Sequence, residues 1–238
     1  MNYRIEHFAI SDIGLHRKMN QDAWASNPKH HFFVLADGLG GHNAGEIASK
    51  ETVQTLCRKI DNLFSLFPKS SLRASETLSY LKEGICSTNS WIFCLSNENT
   101  NLQGMATTLC CLLFHEDKVL YANVGDSRIY RFRTRLERLS SDHRVSPPVK
   151  NMLTRAIGRS RYVIPHLSSS PITPHDIYFL CSDGLTDYVK EEEIEKILNQ
   201  GEGIQESSAK LVHIAKMHGG NDNITVLMAK IHPCQEFT

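Results

Sequence analysis

Short apolar runs broken by turn residues mark out most of the chain. "TTLCCLLF" (107–114), "KVLYANVG" (118–125) and "SRIYRFR" (127–133) are β-prone, with His115-Glu116-Asp117 and Gly125-Asp126 between them. Such a meander predicts an antiparallel sheet with a buried face. "DIYFLCSDG" (176–184) is a further strand that stops at Asp183-Gly184, and "DNITVLMAKI" (222–231) is the last. Near the amino terminus, "RIEHFAIS" (4–11) and "HFFVLAD" (31–37) are candidates, with a polar connection between them that carries Asp22.

The helical period appears elsewhere. Ala44, Ala48, Thr52, Leu56, Ile60 and Leu63 recur at three- and four-residue steps, which predicts an amphipathic helix opening after Asn43. Leu78, Leu81, Ile85, Ile92 and Leu95 form a second stripe, and segments near 190–199 and 204–218 form two more. No repeat, low-complexity tract or Gly/Ser linker divides residues 1–238, and "RVSPPVK" (144–150) is too short to separate domains. The expectation is a single α+β domain whose antiparallel sheets are covered by helices.

Composition changes this picture little. The 238 residues are 41% apolar and 22% charged, with 26 basic and 26 acidic side chains. A zero balance gives no electrostatic reason to expect nucleic acid or an anionic membrane as partner. The longest apolar runs fall far short of a bilayer span, and the first ten residues lack a secretory pattern, so a cytoplasmic protein is expected. Seven cysteines without C-x-x-C spacing fit reduced, buried thiols. Cys110 and Cys111 are adjacent and should point to opposite faces of one strand. Trp24 and Trp91 are read as core or half-buried residues.

Aspartates stand at the strand borders. "VLADGLGGHNAGE" (34–46) ends a buried run in Asp37-Gly38; Asp183 ends another strand, and Asp222 precedes the last. Asp-Gly is also a strong turn pair, so each alone is ambiguous. Four carboxylates with almost no His or Cys beside them suit a hard cation such as Mg²⁺ or Mn²⁺ rather than zinc. Two such ions carry +4 against the −4 of Asp22, Asp37, Asp183 and Asp222. A phosphate-binding glycine loop fits less well, because "GLGGHNAGE" lacks the Lys-Ser/Thr ending and the G-x-G-x-x-G spacing.

Eight motifs in order along nearly the whole chain carry a resemblance. They are "SDIGLHRKMNQDAW" (11–24), "LADGLGGHNAGE" (35–46), "GMATTLCCLLF" (104–114), "ANVGDSRIYR" (122–131), "SSDHR" (140–144), "LTRAIG" (153–158), "LCSDGLTD" (180–187) and "GGNDNITVLMAKI" (219–231). In these the chain resembles the PPM family of metal-dependent serine/threonine protein phosphatases, the type-2C class, especially its compact bacterial members. The resemblance implies a four-layer α-β-β-α sandwich with two central antiparallel sheets. It implies two Mn²⁺ or Mg²⁺ ions, with a weaker third in bacterial relatives, and a metal-activated water as the attacking group.

Carried over residue by residue, Asp37 would bridge two ions, with the Gly38 carbonyl as a further ligand. Asp183 and Asp222 would complete one ion's ligands, Asp22 would serve the other through its water shell, and Asp126 would hold the third together with Asp183. Arg17 would grip the substrate phosphate with its planar fork. Phosphoserine and phosphothreonine proteins are the implied partners, with a serine/threonine kinase or its targets, and a monomer is expected.

Departures bear on activity. Gln21 stands where many relatives carry glutamate, which removes one charge beside the metals. Leu39 stands where animal-type members place a histidine thought to protonate the leaving group; His42, three positions on, is read as a helix-entry residue. Ala106 replaces a glycine, a packing change, and His143 is read as a local hydrogen-bonding residue. Only nine residues (144–152) stand where bacterial relatives insert a longer flap, so a more open site is expected. Two rivals remain at this stage: a pseudophosphatase acting as a binding module, which has no need of clustered carboxylates, and a phosphodiesterase-type nuclease, which the neutral charge disfavours.

Overall fold

A computed structural model describes residues 3–39, 44–145 and 152–233. Its strands are β1 (Tyr3–Asp12), β2 (Asp22–Asn27), β3 (Phe32–Asp37), β4 (Leu109–His115), β5 (Lys118–Val124), β6 (Arg128–Phe132), β7 (Leu136–Arg138), β8 (His166–Pro171), β9 (Ile177–Cys181) and β10 (Ile224–Pro233). Its α-helices are α1 (Gly45–Leu66), α2 (Ala74–Glu98), α3 (Asp183–Thr186), α4 (Glu191–Leu198) and α5 (Ile204–Met217). They form two five-stranded sheets, ordered β1-β10-β9-β6-β7 and β2-β3-β4-β5-β8, with antiparallel pairing throughout.

Side-chain parity stacks four layers. On β3, Phe32, Val34 and Ala36 face α1 and α2, where they meet Ala48, Leu56, Leu81, Ile85 and Ile92. Phe33 and Leu35 face the other way and meet Tyr178, Leu180 and Leu227 of the second sheet. Cys111 and Cys110 divide between the same two layers, as their adjacency predicts. Beyond the second sheet, Phe179, Val226 and Met228 pack on Ile194, Leu211 and Val212 of α4 and α5. Burial of each such Phe, Leu or Ile is worth about 1.5–3 kcal/mol, so these three apolar layers, rather than the polar sheet ends, hold the sandwich together. The expected α-β-β-α architecture is present.

Several sequence expectations need correction. Asp22 opens β2 rather than lying in a polar connection. β7 and β8 went unread: β7 is three residues long, and β8 is a serine-rich edge strand. Asp183-Gly184 is not a turn but the start of α3. Trp24, on the edge strand β2, and Trp91, on α2, are 39% and 49% exposed, so neither is a core residue and each is covered only in part. Residues 146–151, most of the shortened flap on which the expected openness rests, lie outside the described residues, as does His42.

Alternation of strand direction brings six strand termini to one end of the sandwich. Antiparallel pairing sets Asp22, at the start of β2, opposite Asp37, at the end of β3. The starts of β4 and β10 and the ends of β5 and β9 fall at the same end. Buried Asn223 ties the β1–β2 loop to this end. Its Oδ1 accepts from the Gln21 amide at 2.8 Å, and its Nδ2 donates to the carbonyls of Ile13 at 2.9 Å and Met19 at 3.0 Å. Asn223→Ala would leave one amide and two carbonyls without partners, for a loss of about 2–3 kcal/mol. We expect the thermal midpoint to fall by roughly 5–10 °C in a scanning melt; a fall below about 1 °C would show that the loop is held by other contacts.

Candidate active site

The site is built on a clamped strand end. Asp37 is fixed through its backbone: its amide donates to Thr108 Oγ1 at 2.9 Å, and its carbonyl accepts from the Thr107 hydroxyl and the Thr108 amide, both at 2.8 Å. Gly38 follows, with its amide donating to the Gln21 carbonyl at 3.0 Å. A Cβ at Gly38 would sit 2.3 Å from the Gly45 carbonyl oxygen and 2.8 Å from that of Gln21. Only glycine permits this approach of the β3 end, the β1–β2 loop and α1. The neighbouring residues 40–43 lie outside the described residues.

Four other aspartates gather around Asp37. Asp22 is opposite in register; Asp126 follows β5, Asp183 follows β9, and Asp222 precedes β10. Asp37, Gly38, Asp126, Asp183 and Asp222 line one small cleft of about 90 Å³ together with Arg17, Gln21 and Arg144. A wider groove of about 670 Å³ continues from it past Arg17 and Tyr188 to Met152 and Arg159. Every site residue named from the sequence except Asp22 lines this cleft, and Asp22 lies behind it, opposite Asp37 in register.

Crowding sets the electrostatics. Burial, then the charges of Asp22, Asp183, Asp126 and Asp222, hold the Asp37 carboxyl well above the usual carboxylate range. Burial raises Asp183 to about 7, helped by Asp126, Asp187 and Asp222 and opposed by Arg144. Burial also raises Asp22 to about 6, although the Thr225 and Ser182 hydroxyls favour its charged form. Those hydroxyls donate to Asp22 Oδ2 at 2.7 and 2.8 Å, while Oδ1 is buried with no hydrogen-bond partner among the described residues. Asp126 is raised by burial, against the pull of Arg144.

Two arginines hold the outlying carboxylates. Arg17 Nη2 donates to Asp222 Oδ2 at 2.7 Å, and its Nε donates to the Asn221 carbonyl at 3.2 Å. Arg144 donates from Nε to Asp126 and from Nη2 to Asp183 Oδ2, the latter at 3.0 Å. Among the described residues no three acidic, His or Cys side chains are drawn together as tightly as a bound ion would draw them. The donor set nonetheless fits a hard divalent cation: oxygen ligands only, mutually repelling carboxylates, and an orphaned buried oxygen on Asp22.

Other sequence readings can be placed. His143 serves local structure, its Nδ1 accepting from the Gly125 amide at 3.1 Å. Ala106 is buried against Leu39, Leu153 and Ala156, a packing position. Arg144, Asp187, Ser182, Thr225 and Thr108 were not singled out. The serine and threonines pass for ordinary strand residues, and the direction of an arginine side chain leaves no mark on spacing.

A sequence profile described as Protein phosphatase 2C matches residues 16–216. The serine/threonine phosphatase stp of Listeria monocytogenes is 32% identical over 232 residues, which cover 90% of each chain. The serine/threonine protein phosphatase PstP of Mycobacterium tuberculosis is 31% identical over 244 residues, covering 95% of this chain and 45% of that one. The crystal structure of the serine/threonine phosphatase Stp1 from Staphylococcus aureus superposes with a TM-score of 0.87 at 31% identity, over 96% of this chain and 95% of that one. The catalytic domain of PstP in complex with two manganese ions gives 0.83 at 31% identity, over 97% of this chain and 99% of that one. The fold, the clustered aspartates and these likenesses agree, and the chain belongs to the protein phosphatase 2C family.

Proposed function

We propose that this chain is a single-domain, Mn²⁺- or Mg²⁺-dependent phosphatase that hydrolyses phosphoserine and phosphothreonine in proteins. The observation that carries this reading is the gathering of Asp37, Asp126, Asp183 and Asp222 beside an arginine in one cleft, with Asp22 buried next to Asp37, since a binding module would gain nothing from such repulsion. Asp37 and the Gly38 carbonyl, with Asp183 and Asp222, would hold one divalent ion. Asp37 would share a second with Asp22, and Asp126 with Asp183 would hold a weaker third. Such ions, when bound, supply the positive charge that lets an activated water attack the phosphorus of an anionic ester in line.

The remaining work falls to the chain's own side chains. Arg17 lies at the cleft mouth, 42% exposed, and its fork can turn from Asp222 to two phosphate oxygens. Ser182 and Thr225 orient Asp22 and leave its Oδ1 free to accept. Thr107 and Thr108 fix the Asp37 backbone, so that its carboxylate is presented from a rigid strand end. With Leu39 in the cleft wall, no general acid is supplied from that position.

The reading needs no residue from a second copy of the chain, and a monomer is proposed. Six reduced cysteines among the described residues, and no described helix apolar enough to cross a membrane, support a cytoplasmic location. A serine/threonine kinase, or the proteins it phosphorylates, completes the reading as partner.

Purified protein given a phosphothreonine peptide should release phosphate with Mn²⁺ and not with EDTA; equal absence of release under both conditions would favour the pseudophosphatase. Asp37→Asn should lower kcat by roughly a hundredfold or more, with an unchanged far-UV circular dichroism spectrum. Arg17→Ala should raise KM by roughly tenfold, and an unaltered KM would remove Arg17 from phosphate binding.

The sign of the pH dependence follows from Asp22 and Asp183. Both carboxyls titrate higher in the folded chain, about 6 and about 7, than the ordinary 3.8. The folded state therefore binds more protons than the unfolded one between about pH 4 and 7, and metal-free stability falls across that window. Divalent ions compete with those protons, so the rise in thermal midpoint on adding Mn²⁺ should grow from pH 5 to pH 8. A rise that is constant or shrinks with pH would contradict the assignment of these two carboxylates.

A further inference from the structure

Arg144 is the cation most deeply engaged with the carboxylate cluster. Its Nε donates to Asp126, its Nη2 donates to Asp183 Oδ2 at 3.0 Å, and the same Nη2 lies 3.6 Å from Asp187 Oδ1. The Asp126 side chain is only 7% exposed and that of Arg144 24%, so water screens these pairs little. One guanidinium thus stands among three carboxylates from two separate segments, the turn after β5 and the one-turn α3 region after β9.

The backbone that presents it is tied on both sides. The His143 amide donates to the Gly125 carbonyl at 2.9 Å, and the Gly125 amide donates back to His143 Nδ1 at 3.1 Å. On the other side Arg144 and Leu153 pair as an isolated β-bridge, and the Val145 amide donates to the Met152 carbonyl at 2.9 Å. Asp126 is equally fixed, being next to Gly125. The guanidinium can therefore leave the carboxylates by side-chain rotation alone, without unfolding the segment. Arginine stays charged at any working pH, so protonation does not release it.

We propose that Arg144 is a built-in counter-cation that competes with a divalent ion for Asp126 and Asp183, so that an ion binds there only by displacing the guanidinium. The inference rests on the phosphatase reading for the identity of the ions but adds a residue and a consequence to it. Occupancy of the Asp126–Asp183 position becomes weak and steeply dependent on ion concentration, while the position held by Asp37 and Asp22 is not contested by Arg144 and the one held by Asp37, Gly38, Asp183 and Asp222 is contested only at Asp183 Oδ2. Without a divalent ion, the same guanidinium keeps buried Asp126 and half-buried Asp183 from facing one another unpaired.

Binding separates this role from a merely structural one. Full-length wild type, Arg144→Ala, Arg144→Gln and Arg144→Lys would be titrated with Mn²⁺, with free ion read by electron paramagnetic resonance. Arg144→Ala and Arg144→Gln should tighten the weakest ion by about tenfold or more and leave the tightest ions within about threefold. Arg144→Lys, which keeps the charge without the fork, should fall between them and wild type. In EDTA the Ala and Gln variants should melt below wild type, and saturating Mn²⁺ should close that gap. Should the Ala variant fail to fold, the Gln variant, which keeps much of the side-chain length, decides. Tight ions with a weakest ion indifferent to position 144 would overturn the proposal. Absence of any tight Mn²⁺ binding in wild type would overturn the phosphatase reading instead.

Discussion

Mutual repulsion among buried carboxylates is the constraint around which this molecule is arranged. Asp37 has Asp22, Asp126, Asp183 and Asp222 for neighbours, and burial denies Asp37 and Asp22 above all the water that would screen their charge. Nothing in hydrophobic folding asks for this arrangement; left alone it opposes the compact state. The protein tolerates it because three apolar layers hold the sheets together away from the site, and because hydroxyls, amides and two arginines restrain the aspartates at the sheet ends. Stability generated in the core is thereby spent on a site that a doubly charged ion would satisfy.

The same arrangement explains why the site is precise without being tight. Thr107, Thr108, Gly38 and Asn223 fix backbone, not carboxylate oxygens. The side chains of Asp126, Asp183 and Asp222 are held by arginines, which can exchange partners when a cation or an anion arrives. Arg17 and Arg144 divide the cleft: one stands at the mouth, where a phosphate would enter, and the other on the Asp126 side. Catalysis by ions held on a prearranged scaffold needs this separation between a rigid frame and replaceable charges.

Much of the fold was legible in the sequence because both sheets are buried on both faces. β3, β4, β5, β9 and β10 read as continuous apolar runs, and Cys110 and Cys111 showed the parity of β4. β2 was missed because its six residues, "DAWASN", are only half-buried, and β8 because its serines mimic a loop. The aspartates were legible as a motif but not as a place, since register and strand direction bring Asp22 to Asp37 and both to Asp222. Arg144 was not legible at all. In "SSDHR" the histidine draws notice, yet it is the next residue whose side chain enters the cluster.

The central claim is that Asp37 and its neighbours hold divalent ions in common. Crystals grown with Mn²⁺ and measured at the manganese absorption edge test it most directly. The account predicts two strong anomalous peaks within ligand distance of Asp37, about 2–2.5 Å, with Asp183 and Asp222 around one and Asp22 near the other. Peaks elsewhere, or none beside Asp37 at saturating ion, would contradict it.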